Sequence, residues 1–229
     1  MFELSLLQQI AIWAIPVLFA ITVHEVSHGW VARRFGDRTA EMMGRLTLNP
    51  VKHIDPVGTI VVPLALLLMS SGFIFGWAKP VPVAQQNLRN PRRDMAIVAA
   101  AGPVSNLIQA LIWAVIAKIA LMINLPYVSM PMALMGVAGI LINIVLAVLN
   151  LLPVPPLDGG RVVSSLLPPH LSDKFDRLEP YGLLVLVALL ATGVLGTVLG
   201  PPTAYLQGIL FTVIGPEAVY LLRILFGLG

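Results

Sequence analysis

The chain contains no cysteine and little charge: only 11% of its 229 residues are Asp, Glu, Lys or Arg. Without thiols there is no disulfide, no thiolate metal site and no cysteine nucleophile. Any metal must be held by His, Asp, Glu or backbone oxygen. The shortage of charge excludes more. Soluble domains are about 25% charged and about 45–50% apolar. Here 58% of residues are hydrophobic and the mean hydropathy is +0.90. Too few polar side chains exist to cover a water-facing globule, so a soluble enzyme, a disordered tail and a nucleic-acid-binding module are excluded. The net charge of +3 and the pI near 9.5 are read as membrane topology signals, not as a footprint for nucleic acid. No repeat of about 20–50 residues is visible. The longest polar stretches, 33–55, 77–94 and 168–180, are too short for a separate soluble domain. The expectation is one membrane-embedded domain over 1–229, with the lipid bilayer as its solvent.

A membrane span needs about 20 mostly apolar residues. Candidates lie at 6–34, 56–75, 95–121, 131–153, 181–199 and 204–226. The first does not read as a cleavable signal: no Lys or Arg precedes it, Glu3 lies before it, and its apolar run is too long. Lys and Arg cluster after the first candidate (Arg33, Arg34, Arg38, Arg45, Lys52), before the third (Lys79, Arg89, Arg92, Arg93) and after the fourth (Arg161, Lys174, Arg177), with Arg223 near the end. The positive-inside rule puts these regions in the cytoplasm. Lys118 alone disagrees, and is expected to snorkel outward from a helix end. The 56–75 segment then has positive flanks on both sides. It is expected to be re-entrant, broken by Pro63 and by Ser70-Ser71-Gly72, and such backbone must pack in protein or line a wet cavity. The fold class expected is an all-α polytopic membrane protein. It has about five transmembrane helices plus one re-entrant segment, with room for a small β-hairpin near the site.

Inside the first span stands His24-Glu25-Val26-Ser27-His28. Residues i and i+4 share one helix face. Two imidazoles so placed can converge on one zinc ion, and the adjacent Glu25 can reach a water there as general base. Ionisable groups inside a span cost about 2.5–3.5 kcal/mol each, so three together demand a reason, either a functional site or a polar knot that hydrogen-bonds neighbouring helices. A catalytic zinc takes three protein ligands plus water. Asp37, Asp94, Asp173 and Asp176 sit among charged loop residues and are expected on the solvated surface. Asp55, in Asn49 through Pro56 with His53, and Asp158, in Asn150 through Gly160, remain as candidates. Asp158 follows a helix end broken by prolines, with a Gly pair behind it that lets backbone approach closely. Direction favours it. His24 and His28 lie near the C-terminal end of their span, and Asp158 lies past the C-terminal end of 131–153. The two spans must therefore run parallel, which requires that one intervening apolar segment not cross. The charge pattern had singled out 56–75 independently.

These residues resemble the site-2 proteases, a family of intramembrane zinc metalloproteases, in their compact bacterial form without an added PDZ or CBS domain. The resemblance covers about 15–165. It rests on His24 through His28, Gly102-Pro103-Val104-Ser105-Asn106 and Asn150 through Gly160, with Gly44 through Pro50 and Phe75 through Val83 in support. It implies a catalytic core over about 6–165 with additional helices at about 181–226. It implies one Zn2+ per chain on His24, His28 and Asp158, with Glu25 activating water. Asn106 and Asn150 are implied near the site, as contacts to a substrate strand or to the oxyanion. The implied substrate is a transmembrane protein or peptide, unwound locally, in a bacterial-type plasma membrane with the active site near the cytoplasmic side. His53 and Asp55 are read as supporting groups or an alternative ligand pair, and Asn143 and Gln109 as contacts between helices. The competing class is a metal or proton transporter using the intramembrane His and Glu. Such folds show repeats and paired broken helices, and the sequence has neither. Oligomeric state is not readable from it.

Overall fold

The computed structural model describes residues 4–68, 76–123 and 125–228. Its helices are α1 Leu6–Arg34, α2 Thr39–Met42, α3 Val62–Leu68, α4 Pro91–Ile123, α5 Ser129–Asn150, α6 Asp158–Leu166, α7 Pro169–Asp176, α8 Glu179–Ala191, α9 Val194–Ile214 and α10 Glu217–Phe226. No strand, and so no hairpin, occurs among the described residues; 76–84 runs as chain without a ladder. α1 opens on a reciprocal cap, in which Gln8 N–H donates to Ser5 Oγ and Ser5 N–H donates to Gln8 Oε1.

Four helices are long and apolar enough to cross a membrane: α1, α4, α5 and α9. The first three form the core. Ala20 and His28 of α1 meet Asn106 and Val98 of α4, so these helices are antiparallel. Asn106, Trp113 and Ala117 of α4 meet Asn143, Gly139 and Gly136 of α5, again antiparallel. α1 and α5 therefore run parallel, as the placement of the polar residues requires. Small residues make this close packing. Ala110, Ala114, Ala117, Ala133 and Ala138 are fully buried, and a Cβ on Gly139 would run into the Trp113 ring. Lipid supplies no hydrophobic drive between helices, so association relies on such backbone approach.

The C-terminal third departs from expectation. The apolar stretches 181–199 and 204–226 are not two spans. Chain breaks fall at Gly193 (φ +75°) and Gly215 (φ +102°), where glycine takes the positive φ without a Cβ clash. Pro201 and Pro202, which fall between the two expected stretches, lie inside α9. Thr203 Oγ1 beside them donates back to the Leu199 and Gly200 carbonyls. Lys118 has a partner inside the protein: its Nζ donates to Ile214 O at 2.8 Å, capping the negative C-terminal end of α9.

The start of the 56–75 segment is a π-helical turn over Pro56–Val61 that leads into α3. Lys79 N–H donates to His53 O (2.9 Å), Trp77 N–H to Gly58 O (3.1 Å) and Thr59 Oγ1 to Trp77 O (2.8 Å). The two flanks thus lie side by side, as a re-entrant path requires. The Ser70-Ser71-Gly72 break falls outside the described residues.

Candidate metal centre

His24 and His28 stand one turn apart on α1, their rings 4.8 Å between centroids and nearly perpendicular. Their Nε2 atoms are 3.1 Å apart. Asp158, in the first turn of α6, brings Oδ2 to 3.1 Å from His24 Nε2 and 3.4 Å from His28 Nε2. All three residues are buried, and among the described residues they form the one His/Asp/Glu group able to share a metal ion. Each ring has its other nitrogen engaged: His28 Nδ1 lies 2.7 Å from Val98 O, and His24 Nδ1 lies 2.5 Å from Asn106 Oδ1.

This donor set fits a divalent cation. Asp158 Oδ2 is buried and has no hydrogen-bond partner. A buried carboxylate oxygen without a donor is costly, and a cation removes that cost. The floor of the site is shaped to match. A Cβ on Gly102 of α4 would lie 2.5 Å from His24 Cε1 and 2.5 Å from His28 Nε2. Two imidazole nitrogens and one carboxylate also make a three-ligand set of the kind catalytic zinc takes.

Asp158 is delivered by the sharp loop after α5. Cβ atoms on Gly159 and Gly160 would meet the loop backbone at Leu151, Leu152, Val154 and Pro155. Only glycine lets the first turn of α6 sit this close to the chain that precedes it. Glu25 is half-buried beside the histidines, and its Oε2 accepts Val81 N–H at 2.7 Å. A cavity of about 120 Å³ opens over the group. Glu25, Asn150, Asp158 and Arg161 supply its polar wall beside the histidines, and Val81, Val83, Met95 and Val98 contribute to its apolar wall.

A family model described as peptidase family M50 matches residues 12–123 and 127–192. The chain belongs to this family. The protein named "Putative zinc metalloprotease YwhC" of Bacillus subtilis is 40% identical over 195 residues, covering 82% of this chain and 83% of that protein. "Putative zinc metalloprotease Rip2" of Mycolicibacterium smegmatis is 32% identical over 182 residues, 78% of this chain and 66% of that protein. The Mycobacterium tuberculosis protein of the same name is 32% identical over 185 residues, 80% of this chain and 66% of its own length. No solved structure matches. The site-2 protease resemblance read from the motifs is thus shown as membership of M50.

Within this M50 chain, the other sequence-predicted residues fall in different places. Asn150 lines the cavity, with its Nδ2 donating to Leu146 O at 2.9 Å. Asn106 is fully buried behind His24 and is not on the cavity wall. Asp55 stands apart from the cluster; its carboxylate caps the π-helical turn by accepting Val57 and Gly58 N–H. His53 is buried with Nε2 on Thr47 O. Two aspartates expected on the solvated surface are buried anchors. Asp94 accepts Asn90 N–H at 2.7 Å. Asp37, 1% exposed, accepts Ala84 N–H (2.7 Å), Asn87 Nδ2 (3.1 Å) and both donors of Thr39. Burial pushes the Asp37 carboxyl up, but the bonds from Thr39, Ala84 and Asn87 outweigh it and hold it below the usual carboxylate range. Arg45, read as a topology charge, is buried and donates through Nη2 to Lys79 O (2.8 Å) and Pro80 O (3.3 Å). Asp37 and Arg45 together pin the extended 79–84 strap against Glu25. A short charged loop carries no periodicity that would reveal such tertiary bonds.

Proposed function

We propose that this M50 chain is a zinc metalloprotease that cleaves peptide bonds within or near transmembrane segments of membrane-protein substrates, from a site near the cytoplasmic face of the membrane. One observation carries the reading: His24, His28 and Asp158 converge beside Glu25 in a cavity at the ends of membrane-length helices. A zinc ion held by those three residues supplies Lewis acidity and makes water a usable nucleophile near neutral pH.

The rest is done by the chain. Glu25 takes a proton from the attacking water as its oxygen bonds the scissile carbonyl carbon. Glu25 then gives that proton to the amide nitrogen as the C–N bond breaks. Val81 N–H fixes one carboxylate oxygen and leaves the other to handle the proton. Asn150 lines the cavity, and the Nδ2 hydrogen not given to Leu146 O would donate to the substrate backbone or to the developing oxyanion. A helical substrate hides its own amides, so the cleaved segment is one that unwinds at helix-weakening residues. The strap beside Glu25 offers it an extended edge. Pro80 and Pro82 have no N–H and Val81 N–H is given to Glu25, so an added strand would pair here through Val83 N–H.

The test is purified protein with a model transmembrane peptide. Glu25→Gln keeps fold and zinc content and loses cleavage by about 100-fold or more. Full cleavage by that variant removes Glu25 as the base. A wild type that binds zinc, cleaves nothing and passes zinc or protons across liposomes makes the chain a transporter instead.

A further inference from the structure

We infer that Asn106 and Asn143 form an amide relay across three helices that fixes the tautomer and orientation of His24, which makes Asn106 a positioning residue that never touches substrate. The inference rests on the metal-centre reading above and specifies how one ligand is held.

The orientation of each amide follows from partners that can only accept. Asn143 Nδ2 lies 2.8 Å from Gly139 O, a backbone carbonyl. The Asn143 nitrogen must therefore be on that side, and its Oδ1 faces Asn106. Asn106 Nδ2 lies 3.1 Å from Ala20 O, another carbonyl, and 2.8 Å from Asn143 Oδ1. Both contacts need a donor, so the Asn106 nitrogen points at them. Asn106 Oδ1 is left facing His24 Nδ1 at 2.5 Å. An amide oxygen accepts, so His24 Nδ1 carries the hydrogen. Its Nε2 then presents a lone pair toward His28 and Asp158. Both asparagines are completely buried, so no water can replace a lost partner.

His28 reaches the same state by a different route. Its Nδ1 donates to Val98 O, a backbone carbonyl that no substitution removes. His24 is the ligand whose state depends on side chains. Partners that hold the far nitrogen of a metal-bound imidazole are worth about 10–100-fold in metal affinity.

Zinc affinity measured by chelator competition tests this without reference to proteolysis. Asn106→Leu keeps the branched heavy-atom shape, with somewhat larger bulk, and removes the acceptor; it is expected to weaken zinc about 10–100-fold with helicity unchanged. Asn106→Asp restores an acceptor toward Nδ1–H, though it sets an oxygen against both Ala20 O and Asn143 Oδ1, and is expected to recover part of the loss. Asn143→Leu acts only through Asn106. It gives a smaller loss, and the Asn106→Leu/Asn143→Leu double variant binds zinc no worse than Asn106→Leu alone. Histidine-selective ¹⁵N spectra of the wild type show His24 as the Nδ1–H tautomer, and this signature is lost in Asn106→Leu. Wild-type zinc affinity in Asn106→Leu overturns the inference. So does an Asn106→Asp variant as weak as the leucine, or additive losses in the double variant. Normal zinc shifts across this series in a protein that cleaves no peptide would uphold the relay and sink only the protease reading. A wild type that binds no zinc sinks both.

Discussion

A single methyl group at Gly102 should empty the metal centre while leaving the fold standing. The Cβ of Gly102→Ala would lie 2.5 Å from His24 Cε1, 2.5 Å from His28 Nε2 and 2.6 Å from His24 Nε2. Carbon atoms in contact prefer about 3.5–4.0 Å, so the rings must retreat by about 1 Å. Metal–ligand distances tolerate about 0.2 Å, roughly a fifth of that. The position is mid-helix in α4, where Ala is favoured over Gly by about 1 kcal/mol. That gain partly offsets an overpacking cost of about 1–3 kcal/mol. Fold stability should therefore fall by no more than about 2 kcal/mol, whereas zinc affinity should fall by at least about 10–100-fold, the loss seen when a supporting contact is removed. Gly208→Ala on α9 is the control, since nothing lies within 4 Å of its Cβ. The assay is zinc stoichiometry and chelator competition on purified protein, with circular dichroism for the fold. Gly102→Ala that binds zinc like the wild type would mean that the imidazoles do not face the metal over this glycine.

Two further outcomes follow from the same geometry. His24→Ala and Asp158→Asn should each lose zinc while keeping helical content, read by metal analysis and circular dichroism; one zinc per chain in both would reject the ligand set. Asp37→Ala should leave zinc in place but impair cleavage, because Ala84 N–H and Asn87 Nδ2 lose their acceptor and the strap is released from Glu25. Unmade bonds of this kind cost about 1–3 kcal/mol of stability. In the wild type the same carboxyl has a sign-defined pH dependence. Its folded pKa is depressed, so its contribution is fully present above the unfolded carboxylate range and is lost as pH falls through the folded value. A melting-temperature profile in acid that is as steep in Asp37→Ala as in the wild type would refute this.

Periodicity and hydropathy carried most of the core. Long apolar runs, the i,i+4 histidines and the proline-broken end before Asp158 were enough to require parallel α1 and α5 with one crossing between them. What stayed hidden was tertiary. Apolar length alone divided the last stretches at about 199–204, yet the chain breaks at Gly193 and Gly215 instead, and Pro201 and Pro202 lie within α9. Asp37, Asp94 and Arg45 looked like surface charges, since loop composition says nothing about which backbone groups a folded strap will present to them. Asn106 could be placed near the site, but its side of His24 depends on the packing of three helices.

Two sets of buried polar groups respond differently to the ion, and the difference decides what metal removal does. Asn106, Asn143, Asp37 and Asp94 have their partners inside the protein. They are satisfied whether or not a cation is bound. Asp158 Oδ2 lacks a hydrogen-bond partner, and in neutral imidazoles whose Nδ1 atoms donate elsewhere the two inward Nε2 atoms would bring it no hydrogen. The strain of that unpaired set would fall on the junction of α6 with α1, not on the alanine-packed faces of α1, α4 and α5. Chelation should therefore loosen α6 and the 151–157 loop while the three-helix core stays protected, a pattern that hydrogen exchange resolves segment by segment. Uniform deprotection of all helices on zinc removal would show instead that the ion holds the whole bundle together.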